Sequence, residues 1–85
     1  MSESDAILLY SRADCPLCEE GLEKVEALAR RYSLRVEKFD IGSDATLLEA
    51  HRYRVPVAVF LGKELGWGRL SGRGMERELR RALGG

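Results

Sequence analysis

The stretch Cys15-Pro16-Leu17-Cys18 decides how this chain is interpreted, because it joins an apolar run to a helical pattern. The apolar run Ile7-Leu8-Leu9-Tyr10 stands before it, and the two thiols are the only cysteines of the chain. A disulfide between them would close a very small ring. Such a ring removes little entropy from the unfolded chain and stabilises a fold poorly. We therefore interpret the pair as a reactive site and not as a structural crosslink.

The composition predicts a small globular protein with one domain, residues 1–85. Hydrophobic residues make up 45% of the chain and charged residues 33%, which is typical of a folded protein. The formal net charge is zero, and this argues against a broadly basic surface for nucleic acid. No apolar stretch approaches the roughly 18 residues of a transmembrane helix, so we expect no contact with a membrane.

The N-terminal segment and the cysteine content together predict a cytoplasmic protein. Residues 1–5 are acidic where a secretory signal would be basic, and the apolar run after them is too short for one. In a reducing compartment, two cysteines are expected to be redox-active, metal-binding or simply reduced. We also expect the protein to be a monomer.

Hydrophobic periodicity predicts four strands and three helices in the order β-α-β-α-β-β-α. The predicted strands are residues 6–10, 34–40, 57–61 and 65–70. The predicted helices are residues 16–32, a second helix that Ser43 or Asp44 caps and that runs to about Arg52, and residues 75–83. A helix between the first two strands favours their parallel pairing, and a hairpin turn at residues 62–64 adds antiparallel strands. The predicted fold class is α/β, with a mixed four-stranded sheet flanked by helices on both faces.

Glycine and proline residues set the expected ends of several elements. Pro16 suits the first turn of a helix, where its missing N–H costs nothing. Gly66 and Gly68 predict that the last strand is weak or bulged. Gly74 is expected to open the last helix, which would then begin at Met75.

The sequence resembles the thioredoxin superfamily and, within it, the glutaredoxins and the small glutaredoxin-like proteins of bacteria. The resemblance spans residues 6–83 and depends on two motifs: the Cys-Pro-x-Cys motif between a strand and a helix, and Val55-Pro56 before a buried strand. It implies a thioredoxin-like fold. It also implies a thiol–disulfide oxidoreductase that reduces protein disulfides or mixed disulfides with glutathione.

The resemblance also implies roles for individual residues. Cys15 would be the nucleophile, Cys18 the resolving thiol, and Pro56 a cis proline that faces them. Arg12 stands where glutaredoxins often carry a cation that contacts glutathione, and Val55 would offer its backbone to a bound substrate. The residues expected to bind substrate are Arg12, Pro16, Leu17, Arg54, Val55, Pro56 and Gly72.

The chemistry of the pair follows from its place at a helix N-terminus. Unpaired N–H groups and the positive end of the helix dipole favour a thiolate at Cys15, and Arg12 adds to this field. Asp14 acts in the opposite direction, because a carboxylate disfavours a neighbouring anion. Cys18, about one turn further in, is expected to be shielded and to keep its proton until it resolves a mixed disulfide.

The expected reaction needs no bound cofactor and no metal. Glutathione is a candidate co-substrate, the other expected partners being a disulfide-containing protein and a reductase that donates electrons. The alternative is a carrier of a metal ion or iron–sulfur cluster, or a redox-sensing binding module, without significant turnover. Structural zinc takes four ligands, and two cysteines with His51 do not complete that set, although a site shared between two chains stays open.

Three other side chains have structural and functional interpretations. His51 is expected to be a surface or partly packed helix residue in preference to a catalytic base. Trp67 is expected to cover an edge of the core in preference to lining a substrate surface. Arg54, next to Val55-Pro56, is a candidate for attracting a carboxylate of glutathione or of an acidic protein.

Overall fold

A computed structural model describes residues 6–84 of the chain. Seven elements follow in the predicted order, with a short 3-10 turn at Ile41–Ser43 before the second helix. The elements are β1 (Ala6–Ser11), α1 (Pro16–Arg31), β2 (Arg35–Asp40), α2 (Ala45–His51), β3 (Val57–Phe60), β4 (Lys63–Trp67) and α3 (Gly72–Ala82).

The four strands form one mixed sheet in the order β2-β1-β3-β4. β1 and β2 are parallel, as the intervening helix predicts, whereas β3 pairs antiparallel with both β1 and β4. The pairing of β3 with β4 shifts register after Ala58, opposite Gly66, so the bulge expected from the glycines of this strand is present. The predicted α/β fold class is therefore confirmed.

Helices α1 and α3 pack together on one face of the sheet and form the main core with it. The core residues come from β1, β3, β4, the segment after β4 and these two helices: Ile7, Leu9, Val25, Leu28, Ala29, Ala58, Phe60, Leu65, Leu70, Met75 and Leu79. The opposite face is covered more thinly by α2, which has no fully buried residue. Its His51 ring stacks on Tyr10 of β1, with the ring centroids 4.9 Å apart.

The last third of the chain differs from the sequence prediction in two places. The hairpin turns at Leu61 and Gly62, which have φ values of 52° and 78°, so β4 begins at Lys63 and ends before Leu70. Two consecutive residues with positive φ make the tight turn that suits a hairpin. Helix α3 begins at Gly72, earlier than predicted, because the Ser71 hydroxyl caps it by accepting the N–H of Gly74 at 3.1 Å.

Among residues 6–84, no helix has both the length and the apolar character that crossing a membrane requires.

Candidate active site

Cys15 occupies the N-cap position of α1, and Pro16 is the first residue of the helix. The Cys15 sulfur accepts a hydrogen bond from the backbone N–H of Cys18 over 3.2 Å. A side chain that accepts such an N–H is usually an oxygen of Ser, Thr, Asp or Asn. Here a sulfur does so, and the same N–H also donates to the Cys15 carbonyl over 3.0 Å. The sulfur therefore lies at the positive end of the helix dipole.

Asp14 turns the chain from β1 into this helix. Its φ of 55° lies in the left-handed region, which Asp and Asn tolerate better than most residues. The residue is exposed, so its carboxylate stays in water beside the N-cap. The turn between β1 and the cysteine pair thus has a defined backbone geometry.

The two thiols, both free, lie in different surroundings. Cys15 is partly exposed, whereas only 5% of Cys18 is exposed. Burial raises the pKa of the Cys18 thiol to about 11, and its hydrogen bond with Cys15 acts in the same direction. A backbone hydrogen bond from Arg12 acts in the opposite direction but is the weaker influence. Cys18 therefore keeps its proton at neutral pH, and Cys15 is the sulfur that a substrate reaches.

Two open clefts meet at Cys15. The first, of about 290 Å³, also contains Cys18 and is lined by Arg12, Leu22 and Lys38 among others. The second, of about 570 Å³, is lined by Arg12, Ala13, Asp14, Cys15, Pro16 and Leu17. The structure therefore brings the predicted residues Arg12, Pro16 and Leu17 around Cys15. Lys38 was not predicted to line a cleft. It lies two residues after Val36 along β2, however, and side chains with this spacing share one face of the sheet, here the face covered by α1.

The Val55–Pro56 peptide bond is cis, as the resemblance implied. The loop is held at the end of the sheet by the N–H of Gly68, which donates to the carbonyls of Arg54 and Pro56 over 2.9 and 2.8 Å. Pro56 is buried and lies against Gly21 of α1: its Cγ is 3.0 Å from the position that a Cβ on Gly21 would take. The loop thus packs on the helix one turn beyond Cys18.

Gly21 is a residue of the site that the sequence analysis missed. A glycine inside a helix costs about 1 kcal/mol relative to alanine, and this cost was a signal that the position serves a close contact. The contact is with Pro56 and with Leu70, whose Cδ1 is 2.9 Å from the same Cβ position.

Four of the residues predicted to bind substrate lie outside the two clefts at Cys15: Arg54, Val55, Pro56 and Gly72. The Arg54 guanidinium donates to Glu64 over 2.6 Å and lies 4.9 Å from the ring centroid of Trp67. Trp67 does not cover the core as expected, since 54% of it is exposed. Gly72 is an exposed residue at the start of α3, with open space where a Cβ would stand.

His51 is half-buried on α2, in agreement with the prediction that it is a partly packed helix residue. Its ring stacks on Tyr10, and it lines neither cleft at Cys15. Its Nδ1 atom is buried and has no hydrogen-bond partner. Across residues 6–84, no three side chains of His, Cys, Asp or Glu come together in a way that could hold a metal ion.

The mixed sheet, the paired cysteines at the start of α1 and the cis proline packed on that helix define a thioredoxin-like protein. A family model described as "Glutaredoxin-like domain (DUF836)" matches residues 6–83. The chain belongs to this family, and the resemblance seen in the sequence is confirmed.

Solved structures with similar folds agree with this assignment. Protein XcR50 from X. campestris is 33% identical, with a TM-score of 0.75 over 88% of this chain and 96% of that one. Protein Ne2328 from Nitrosomonas europaea is 28% identical, with a TM-score of 0.72 over 92% and 94% of the two chains. Thioredoxin 1 from Thermosipho africanus is 17% identical, with a TM-score of 0.61 over 92% and 98%, and shares the fold.

Proposed function

We propose that this protein is a thiol–disulfide oxidoreductase that uses Cys15 as nucleophile and Cys18 as resolving thiol. The observation that carries the proposal is the unequal environment of the two sulfurs. Cys15 is reachable and accepts an N–H at the helix start, whereas Cys18 is buried and has a raised pKa. A dithiol mechanism of thiol–disulfide exchange uses one sulfur that attacks from the surface and a second that stays protonated until it resolves the mixed disulfide.

The first step is attack of the Cys15 thiolate on one sulfur of a substrate disulfide. A new S–S bond forms to Cys15, the substrate S–S bond breaks, and the other substrate sulfur leaves as a thiolate that takes up a proton. Cys18 then loses its proton and attacks the Cys15 sulfur, which releases the second substrate thiol. The substrate gains two electrons, and the pair ends as an intramolecular disulfide.

The surroundings of the pair suit an extended substrate. Arg12, Pro16 and Leu17 would contact the segment that flanks the substrate disulfide, and Val55 would pair with its backbone in the manner of an added strand. A glutathione moiety carries two carboxylates, for which Arg12 and Lys38 are the cations that line the clefts at Cys15. Arg54 is already paired with Glu64, and this favours protein disulfides over glutathione mixed disulfides as the main substrate.

The cycle closes when an external reductant, either glutathione or a reductase protein, reopens the Cys15–Cys18 disulfide. This exchange uses the same sulfur chemistry and needs no bound cofactor. A cytoplasmic location, where thiols are kept reduced, is part of the proposal.

A single-turnover assay tests the proposal without an electron donor. The reduced protein is mixed with a peptide disulfide, and the released peptide thiols are counted against the protein thiols that disappear. The wild-type protein should release two peptide thiols as its own pair oxidises, whereas Cys15→Ser should release none. A wild-type protein that leaves every disulfide intact, or a Cys15→Ser variant with full activity, would overturn the proposal. Reoxidation and reduction in glutathione buffers, compared with a reductase, then identify the electron donor.

A further inference from the structure

We infer that a groove between β4 and α3 is the docking site for an acidic segment of the protein whose disulfide is reduced. This β4–α3 groove has a volume of about 340 Å³, an apolar floor and a cationic, aromatic rim. The floor includes Leu65, Leu70 and Met75, and the rim includes Trp67, Arg69 and Arg77. The inference depends on the proposed function and specifies its substrate class.

Trp67 has the properties of a binding hot spot. It is 54% exposed, yet its ring contacts the Arg54 guanidinium, which also pairs with Glu64 over 2.6 Å. Tryptophan and arginine are enriched among the residues that carry most of the energy of protein interfaces. An ordered, exposed ring also loses little freedom when a partner covers it.

The charge of the groove selects an anionic partner. Arg69 and Arg77 are exposed, and within residues 6–84 neither forms an ion pair. The carboxylate in the groove, Glu78, is already shared by Lys63 and Arg81 at 3.2 and 3.5 Å. Two guanidinium groups are therefore free to form bidentate contacts with carboxylates. The floor residues are almost fully buried, so the exposed Trp67 ring supplies the apolar contact. The zero net charge of the chain favours an acidic protein segment over a nucleic acid as the partner.

One buried side chain connects the groove to helix α1 through the core. Leu70 lies in the groove floor and at the same time reaches to within 2.9 Å of the position that a Cβ on Gly21 would take. Gly21 is one helical turn after Cys18. The Lys24 ammonium group of the same helix donates to the Leu70 carbonyl over 2.8 Å. Packing and a hydrogen bond thus join the floor of the groove to the helix that carries both cysteines.

A fluorescence titration tests the docking directly, because Trp67 is the single tryptophan of the chain. The probe is a glutamate-rich peptide that contains one leucine and has serine in place of cysteine, so binding is measured without any redox chemistry. The wild-type protein should bind it at least about tenfold more tightly than the matching lysine-rich peptide. The double variant Arg69→Ala/Arg77→Ala should lose at least about tenfold in affinity, and Arg69→Lys/Arg77→Lys should recover part of it.

Two controls and a turnover measurement complete the test. Arg30→Ala and Leu61→Ala remove an exposed arginine and an exposed leucine outside the groove, and both should bind the acidic peptide as wild type does. With the cysteines restored as a disulfide in the peptide, the double variant should lower the ratio of kcat/KM for this peptide to that for hydroxyethyl disulfide at least about tenfold.

Equal affinity for both peptides, wild-type affinity in the double variant, or tighter binding of a single-stranded oligonucleotide would each overturn the docking inference. If the acidic peptide binds as expected but no disulfide is reduced, the proposed function fails and the docking site stands. If disulfides are reduced with no preference for the acidic peptide, the docking site fails and the proposed function stands.

Discussion

Replacing Gly21 by alanine tests whether α1 and the cis-proline loop are packed as tightly as the structure indicates. The added methyl group would stand 2.9 Å from Leu70 Cδ1 and 3.0 Å from Pro56 Cγ. Carbon atoms in good contact are about 3.5 to 4.0 Å apart, so both neighbours must move by about half an ångström. The leucine methyl can swing away, whereas Pro56 is a buried ring at the end of a loop held by Gly68.

Two opposing contributions set the change in the free energy of unfolding of Gly21→Ala. Overpacking of this kind costs about 1 to 3 kcal/mol, and alanine gains up to about 1 kcal/mol over glycine inside a helix. The free energy of unfolding should therefore fall by about 1 kcal/mol. Gly74→Ala is the matched control, because its methyl group would meet only Ser71, at an ordinary 3.5 Å. That variant keeps the helix gain and should be neutral or stabilised by up to about 1 kcal/mol.

Urea denaturation of the reduced proteins, followed by circular dichroism, measures both changes. We expect the Gly21→Ala variant to be less stable than the Gly74→Ala variant by about 1 to 2 kcal/mol. If Gly21→Ala is as stable as Gly74→Ala, the close packing of Pro56 on α1 is wrong, and with it the account of how the loop is held against this helix.

Other predictions concern the thiols and a helix cap. At neutral pH iodoacetamide should label Cys15 well before Cys18, and equal labelling rates would contradict this. The rate of Cys18 labelling should rise about tenfold per pH unit, because burial raises the pKa of this thiol to about 11. The contribution of Cys18 to the stability of the reduced protein should be complete below the ordinary thiol pKa of about 8.5 and should be lost as the pH rises to about 11, as thermal unfolding at several pH values would show. Ser71→Ala should lower stability by about 1 kcal/mol and Ser71→Asp should not; equal denaturation midpoints for Ser71→Ala and wild type would show that the cap contributes nothing.

The order of the elements could be predicted from the sequence because the hydrophobic residues of each element recur with the spacing typical of a helix or of a strand. Val25, Leu28 and Ala29 fall on one stripe of α1 and are all buried. The apolar runs of β1 and β3 become the two central strands, which is where strands covered on both faces belong. The position of Cys15 and Cys18 at the start of α1 followed from the same pattern, with Pro16 marking the helix start.

The start of α3 could not be predicted because two local rules conflict there. Gly72 and Gly74 both lower helix propensity, which favoured a helix that begins after them. Ser71 supplies a capping hydroxyl that the helix uses instead, and burial of Met75 and Leu79 fixes the helix on the core. Packing and capping together outweigh the weak propensity of the first turn.

Contacts between residues distant in the sequence lay beyond any local pattern. The contact of Pro56 with Gly21 joins residues on a loop and a helix, and only the assembled fold brings them together. The same holds for Arg54, whose partners Glu64 and Trp67 lie across the hairpin. Arg54 was expected to attract a carboxylate, but its partners within the fold could not be predicted from the sequence.

Covalent trapping of a substrate tests the unequal roles of the two cysteines most directly. Reduced Cys18→Ser protein is mixed with a peptide disulfide, and its intact mass is measured together with that of Cys15→Ser and wild type. The account predicts a lasting adduct of one peptide on Cys15 in Cys18→Ser, no adduct in Cys15→Ser, and an oxidised pair without adduct in wild type. An adduct on Cys18 in the Cys15→Ser variant, with none in Cys18→Ser, would contradict it.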